Sequence, residues 1–254
     1  LLSPALVTEL HAQDGESKIA AAEPFDFWVD HLPYNTFNHV DYLADYIFAA
    51  STNNLLVVQA NSDEITRYSR INGLTGTNIT ALKADRNSGT VWIGYATGRI
   101  DIWTSLGIRT IEAIEETPSY TGLKTIKDIA FYDDKAYIAT DFGVVEFEIS
   151  SRLAGRTFLL GTNFSPVAIQ SFDIRPDGTL CAYSPSNTSS FYFGDLNESL
   201  PTWATYPYQL FADNASPRHI TYYDVEERFI YAVDDLTSGT YLIAMAETVP
   251  GQWQ

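Results

Sequence analysis

The chain has 254 residues, 45% of them hydrophobic and 14% aromatic, which is enough for one large all-β domain and too apolar for a disordered segment. Its formal charge of −17 repels phosphate backbones and anionic lipid surfaces, so nucleic acid is set aside as a partner. The single cysteine, Cys181, excludes an intramolecular disulfide, and no apolar run approaches the roughly 18 residues that a spanning helix needs.

Residues 1–23 form an N-terminal segment that reads in two ways. Leu1-Leu2-Ser3-Pro4-Ala5-Leu6-Val7 is either the remnant of a secretory signal, with cleavage near Ala12, or part of an ordinary strap. The folded domain is expected over 24–254. It opens with Pro24–Tyr34, whose Trp28 suits an outer strand that completes the last sheet of the domain.

From about residue 37 the sequence repeats itself. The clearest block is an apolar strand: Tyr46-Ile47-Phe48-Ala49-Ala50, then Val91-Trp92-Ile93-Gly94-Tyr95, then Ala136-Tyr137-Ile138-Ala139-Thr140. Weaker copies stand at Leu180–Tyr183 and Phe229–Val233. The copies lie about 43–49 residues apart, the spacing of four-stranded propeller blades. A period-2 strand precedes each one: Asn38–Leu43, Ile79–Ala84, Ile126–Phe131, Ile169–Ile174 and His219–Tyr223. Asp85–Gly89, Asp133-Asp134-Lys135 and Pro176-Asp177-Gly178 lie between the two strands and read as hairpin turns.

Third strands are expected at Arg99–Trp103 and Val144–Glu148, and more polar fourth strands at Glu64–Tyr68 and Thr157–Leu160. Two further units end in Pro201-Thr202-Trp203 and Pro250-Gly251-Gln252-Trp253. A small sheet with two apolar faces cannot bury both alone, and radial packing of such sheets solves this. The expected fold is therefore an all-β propeller with five visible four-stranded antiparallel blades. Trp28 and Trp253 either compete for one outer position in a five-bladed ring or belong to a larger ring.

Trp28-Val29-Asp30-His31-Leu32-Pro33-Tyr34 resembles the W-x-x-H-L-P-Y opening of the PorZ proteins. Asn72-Gly73-Leu74-Thr75 and Gly94-Tyr95-Ala96-Thr97-Gly98-Arg99-Ile100-Asp101 resemble further stretches of that family, with Thr97-Gly98 in place of its usual Asn-Gly. The Gly73-Leu74 to Gly94 stretch is also similar to the two-component-regulator propeller repeat. The likeness covers about residues 25–150. It implies structural roles for Trp28, His31, Leu32, Pro33, Tyr34, Gly73, Leu74, Gly94, Tyr95 and Gly98. It also implies an exported protein of the periplasm or outer-membrane surface that belongs to the type IX secretion system. The implied partners are a lipopolysaccharide or other glycan, and a secretion-system protein. PorZ proteins are much longer, with a second propeller and a sorting domain.

Chemistry-bearing motifs are sparse. No Gly-x-Ser-x-Gly, phosphate loop or His-Glu-x-x-His occurs, so no catalytic residue, metal or cofactor is expected. Asp133-Asp134 and Asp234-Asp235 read as solvated hairpin turns. Of the four histidines, His39 and His219 occupy equivalent places at the starts of first strands and are candidate binding residues. Tyr206, Tyr208 and Tyr222 are further candidates, because loop tyrosines stack on sugars or anchor a partner. The expected function is a non-enzymatic binding module. The alternatives are a periplasmic glycan-sensing propeller of a two-component regulator and a propeller glycan hydrolase or lyase.

Overall fold

The computed structural model describes residues 36–62, 64–185, 190–198, 203–207, 215–223, 226–235, 243–249 and 252–253. The chain divides into units 1–31 and 32–254, and every described residue belongs to the second. The expected domain start at residue 24, the outer strand around Trp28, and His31 to Tyr34 lie outside the described residues.

Alternating apolar strands separated by turn residues fold into five successive sheets of four antiparallel strands each. The first sheet holds β1 (His39–Leu43), β2 (Tyr46–Ala50), β3 (Leu55–Gln59) and β4 (Glu64–Tyr68). The second holds β5 (Ile79–Asp85), β6 (Thr90–Tyr95), β7 (Ile100–Thr104) and β8 (Gly107–Ile111). The third holds β9 (Asp128–Tyr132), β10 (Lys135–Ala139), β11 (Val144–Glu148) and β12 (Ala154–Phe158). The fourth holds β13 (Ser171–Ile174), β14 (Thr179–Ser184), β15 (Ser190–Asp195) and β16 (Ala204–Pro207). The fifth holds β17 (Ala215–Tyr223), β18 (Arg228–Asp235), β19 (Ile243–Val249) and β20 (Gln252–Trp253). Among the described residues the helical content is one 3₁₀ turn, Thr162–Phe164.

Turn chemistry explains the hairpins. Asp133 and Asp134, joining β9 to β10, take φ of 48° and 57°, the left-handed pair that matches strand twist. Between β5 and β6 the Asp85 carboxylate accepts the amides of Asn87 at 3.0 Å and Ser88 at 3.3 Å, which closes that turn locally. Gly98 joins β6 to β7 with φ 93°, and its amide donates to the Tyr95 carbonyl at 3.1 Å. An L side chain is strained at that φ.

The first strand of each sheet lies beside the first strand of the next, β1 to β5 to β9 to β13 to β17. Sheets two, three and four then bury one face against the predecessor and the other against the successor. Phe48, Leu55 and Val57 pack on Val91, Ile93 and Trp103 between sheets one and two. Trp92, Ile100 and Ile102 pack on Ile129, Ile138 and Phe147 between sheets two and three. Tyr137, Val144 and Phe158 meet Phe172, Leu180 and Tyr192 between sheets three and four. Cys181, Tyr183 and Phe191 meet Ile220, Phe229 and Tyr231 between sheets four and five. Neighbouring residues of one strand thus enter opposite cores: Val91 and Ile93 the first, Trp92 the second. This two-faced burial is the all-β propeller arrangement expected from the repeat.

Four expectations are corrected. The fourth strand of sheet three begins at Ala154 and ends at Phe158, earlier than Thr157–Leu160. Trp203 precedes β16 and packs edge-on to Phe158, with ring centroids 5.9 Å apart. Asp234 and Asp235 are not a turn: they lie in β18, paired with Ser216 and Ala215, because β17 extends far enough to hold them in register. By burial side, Phe48 matches Trp92 rather than Ile93, so the first copy of the apolar block is offset by one residue. The fourth place in sheet five belongs to Gln252–Trp253, which pairs with β19.

Candidate functional site

The first strand of each sheet is an edge strand, so its outward amides need partners from outside the sheet. Side chains on the neighbouring first strand supply them. Asp41 on β1 accepts the Ala84 amide of β5 at 2.8 Å. Asp128 on β9 accepts the Phe172 amide of β13 at 3.2 Å. Asp173 on β13 accepts the Tyr222 amide of β17 at 2.8 Å and the Thr221 hydroxyl at 3.2 Å. In each case the other carboxylate oxygen accepts the amide of the following residue, Tyr42, Ile129 or Ile174, at 2.8–2.9 Å. These carboxylates fasten one sheet to the next.

Strand register places equivalent residues on common rungs. His39, Ala81, Asp128, Ser171 and His219 stand opposite Ala50, Gly94, Ala139, Tyr183 and Ala232 of their second strands. Two residues further along, the next rung carries Asp41, Lys83, Ala130, Asp173 and Thr221. All five residues of the first rung line one cavity of about 550 Å³, a volume within the range of small-molecule sites. Asp41 and Lys83 of the second rung line it too, as do Arg86 and Lys127. His39 and His219, equivalent by sequence, are thus brought to one cavity.

A hydrogen-bonded line crosses three sheets of its wall. The Ser171 hydroxyl donates to Asp128 Oδ2 at 2.6 Å and accepts the Ile220 amide at 2.9 Å. His219 Nδ1 lies 3.4 Å from the same oxygen. Because the hydroxyl proton points to Asp128, Ser171 is held as a link between strands rather than deprotonated by His219. Burial pushes the Asp128 carboxyl up; His219, the Ser171 hydroxyl and Lys83 pull it back. Burial pulls the His39 imidazole down, and the Asp128 charge opposes this.

Two of the cavity's cations are already engaged. Arg86 donates to Asp41 Oδ1 at 2.7 Å and lies over the Tyr42 ring, 4.1 Å from its centroid. Lys127 pairs with Asp141 at 3.0 Å. Among the described residues, no group of three or more His, Cys, Asp or Glu side chains is gathered to hold a metal ion.

Among the described residues, Tyr222 does not line this cavity. The half-buried Tyr222 packs edge-on to Phe229 at 5.7 Å and serves sheet packing. Tyr206 sits in β16 opposite Phe191, and its side chain, like all of Tyr208, lies outside the described residues. Cys181 is buried between sheets four and five. Sequence reasoning passed over Asp128 and Ser171, whose signal was their shared register with the two histidines, and Lys83, which stands on the next rung.

Of the motif fragments quoted for the family resemblance, those around Gly73-Leu74 and Gly94-Tyr95 fall among the described residues. Leu74 is buried, and its amide donates to the Ser69 carbonyl at 3.0 Å. Gly73 takes φ 143° beside Tyr68 and Ile108. Gly94 leaves room for Ile126, and Tyr95 is fully buried with its hydroxyl on Asp101 at 2.7 Å.

The family described as "TSS9, PorZ, N-terminal beta-propeller domain" matches residues 47–201. That range starts after the Trp28–Tyr34 stretch and runs on past residue 150, where the likeness read from motifs fades. Among solved structures the chain is similar to PorZ, described as an essential bacterial surface component of the type IX secretion system of Porphyromonas gingivalis. The two share 17% identity at a TM-score of 0.63, over 83% of this chain and 28% of the other. The chain is also similar to the extracellular domain of BT4673 from B. thetaiotaomicron. In one structure, described as a one-component system, identity is 13% and the TM-score 0.61, over 85% and 28% of the two chains. In a second, described as a hybrid two-component system, the values are 15% and 0.58, over 81% and 26%. The chain therefore spans less than a third of the length of these proteins. At such identities the likeness bears on fold alone. No curated protein matches it.

Proposed function

Because the chain belongs to the PorZ N-terminal β-propeller family, we propose that it is an exported, non-enzymatic binding module that engages a surface glycan or a protein partner of the secretion system through its first-strand cavity. The observation that carries this reading is the wall of that cavity: polar side chains from all five sheets converge on one space of about 550 Å³. Its two carboxylates are occupied in fastening strands, Asp41 to Ala84 and Asp128 to Phe172. Neither is set up as half of an acid–base pair, which favours binding over glycan hydrolysis. Export and a place at the cell envelope fit the surface component and the extracellular domain that share the fold. No helix among the described residues is long and apolar enough to cross a membrane.

The test is capture from envelope extract with the immobilised chain, read by mass spectrometry for secretion-system proteins and by carbohydrate staining for glycolipid. Recovery of either class that is lost in a His39→Ala/His219→Ala variant of unchanged melting temperature is the expected result. Recovery of neither class overturns the reading. A sensor role is the second reading, favoured by the likeness to BT4673. A kinase or DNA-binding domain encoded in the same full-length gene would select it.

A further inference from the structure

Lys83 is the one cation on its rung, where sheets three and five carry the uncharged Ala130 and Thr221. On its rung, sheets one and four carry Asp41 and Asp173, each of which accepts an amide from the next first strand. Sheet two carries Lys83 there instead, opposite Trp92. An ammonium cannot accept an amide, so this position gives up the fastening role. The side chain is half-buried and lines the cavity, and no ion pair or hydrogen bond engages its amine among the described residues.

The charges around it favour an anion. Arg86 and Asp41 neutralise each other at 2.7 Å, as do Lys127 and Asp141 at 3.0 Å. What remains facing the cavity is Lys83, His39, His219 and Asp128. Asp128 has its charge partly satisfied by the Ser171 hydroxyl at 2.6 Å and the Phe172 amide at 3.2 Å. In a chain of formal charge −17, the cavity thus keeps one unpaired ammonium, one carboxylate whose charge burial disfavours, and two imidazoles.

We propose that the cavity holds a small anionic group, a carboxylate or a phosphate, against Lys83 and His219. The proposal rests on the binding-module reading and names the ligand chemistry of that same cavity. The anion takes the place of a carboxylate on the Lys83 rung, and His219, exposed at the rim, offers it a ring N–H. An anion placed there also disfavours charge on Asp128 and favours it on His39. Uptake is therefore linked to proton binding, and affinity rises as pH falls.

The test is calorimetric titration of the chain with inorganic phosphate, glucose 6-phosphate, glucuronate and glucose, at pH 6 and pH 8. Binding of the anions but not of glucose, tighter at pH 6, is the expected result. Preference for glucose 6-phosphate over inorganic phosphate identifies a sugar-borne phosphate, and the reverse a free anion. Lys83→Met should weaken the anions by about tenfold or more, the scale of one charge-assisted hydrogen bond. Lys83→Arg, which keeps the charge, should restore most of the affinity, and melting temperature checks the fold of both. Glucose binding as well as glucuronate, absence of anion binding, or indifference to Lys83→Met each overturns the proposal. Capture of a partner from envelope extract would survive any of these, so the two readings fail separately.

Discussion

Thr75 and Asp101, 26 residues apart, meet twice: the Thr75 amide donates to Oδ2 at 2.8 Å and its hydroxyl to Oδ1 at 2.6 Å. Asp101 is fully buried, and the hydroxyls of Tyr95 at 2.7 Å and Thr110 at 2.8 Å complete its shell. Two fragments of the family pattern, Asn72–Thr75 and Gly94–Asp101, are therefore two halves of one hydrogen-bonded hub. Burial and the Asp101 charge push the Tyr95 hydroxyl far above its ordinary range, so it remains a donor. Asp101→Ala strands these donors and should cost roughly 3 kcal/mol or more. Tyr95→Phe removes one donor and should cost about 1–2 kcal/mol. Urea unfolding of both variants checks the ordering.

Gly94 faces Ile126 across the gap between sheets two and three, where an added Cβ would meet the Ile126 side chain. Both belong to well-packed surroundings, and Ile126 is fully buried. Gly94→Ala should destabilise by about 1–3 kcal/mol through overpacking. Adding Ile126→Val should recover part of that loss, giving a non-zero coupling in a double-mutant cycle of urea midpoints.

Glu146 is buried and paired with Arg156 at 2.7 Å and Lys135 at 3.4 Å. Burial alone would raise its carboxyl, but Arg156 and Lys135 outweigh that and hold it below the ordinary range. A depressed carboxyl contributes stability above its unfolded pKa, about 4.3 for Glu. That contribution is lost as pH falls through the lower folded value. Glu146→Gln should lower the melting temperature at pH 7 and flatten its decline below about pH 4.3. A variant whose decline stays as steep as the wild type contradicts the assignment.

His39 behaves with the opposite sign. Its imidazole is pulled down in the folded chain by burial, so the unfolded chain binds the proton more readily. Stability should fall as pH drops below the ordinary His value of about 6.5 towards the folded one. His39→Gln should remove that slope, measured as melting temperature between pH 8 and pH 5.

Ser171 links β9 to β17 through Asp128 and the Ile220 amide. Ser171→Ala leaves both groups short of a partner and should cost about 1–3 kcal/mol. Hydrogen exchange at the Ile220 amide should accelerate, and exchange at Ala84, fastened by Asp41, should not.

Much of the fold is legible from local pattern. Tyr46–Ala50, Glu64–Tyr68 and Val144–Glu148 are strands to the residue, because β-branched and aromatic residues run up to flanking turn residues there. The start of β9 is not legible: Ile126 continues the alternation, but its amide bonds to the Tyr95 carbonyl of the preceding sheet at 3.2 Å, and pairing begins at Asp128. The site is legible only in part. His39 and His219 stand out by residue type and place in the repeat. Ser171 and Asp128 look like ordinary strand residues, since their partners lie 43–49 positions away.

The sequence alone determined the repeating unit, the four-strand composition of each sheet and the two-faced burial that makes neighbours obligatory. Those properties depend on alternation and turn residues within about 46 positions, so they are written locally. Which side chains share a rung, and so which carboxylates become fasteners and which cation is left over, was decided only by tertiary structure. Register between sheets is fixed by side-chain-to-backbone bonds across separate units, and no local pattern carries that information.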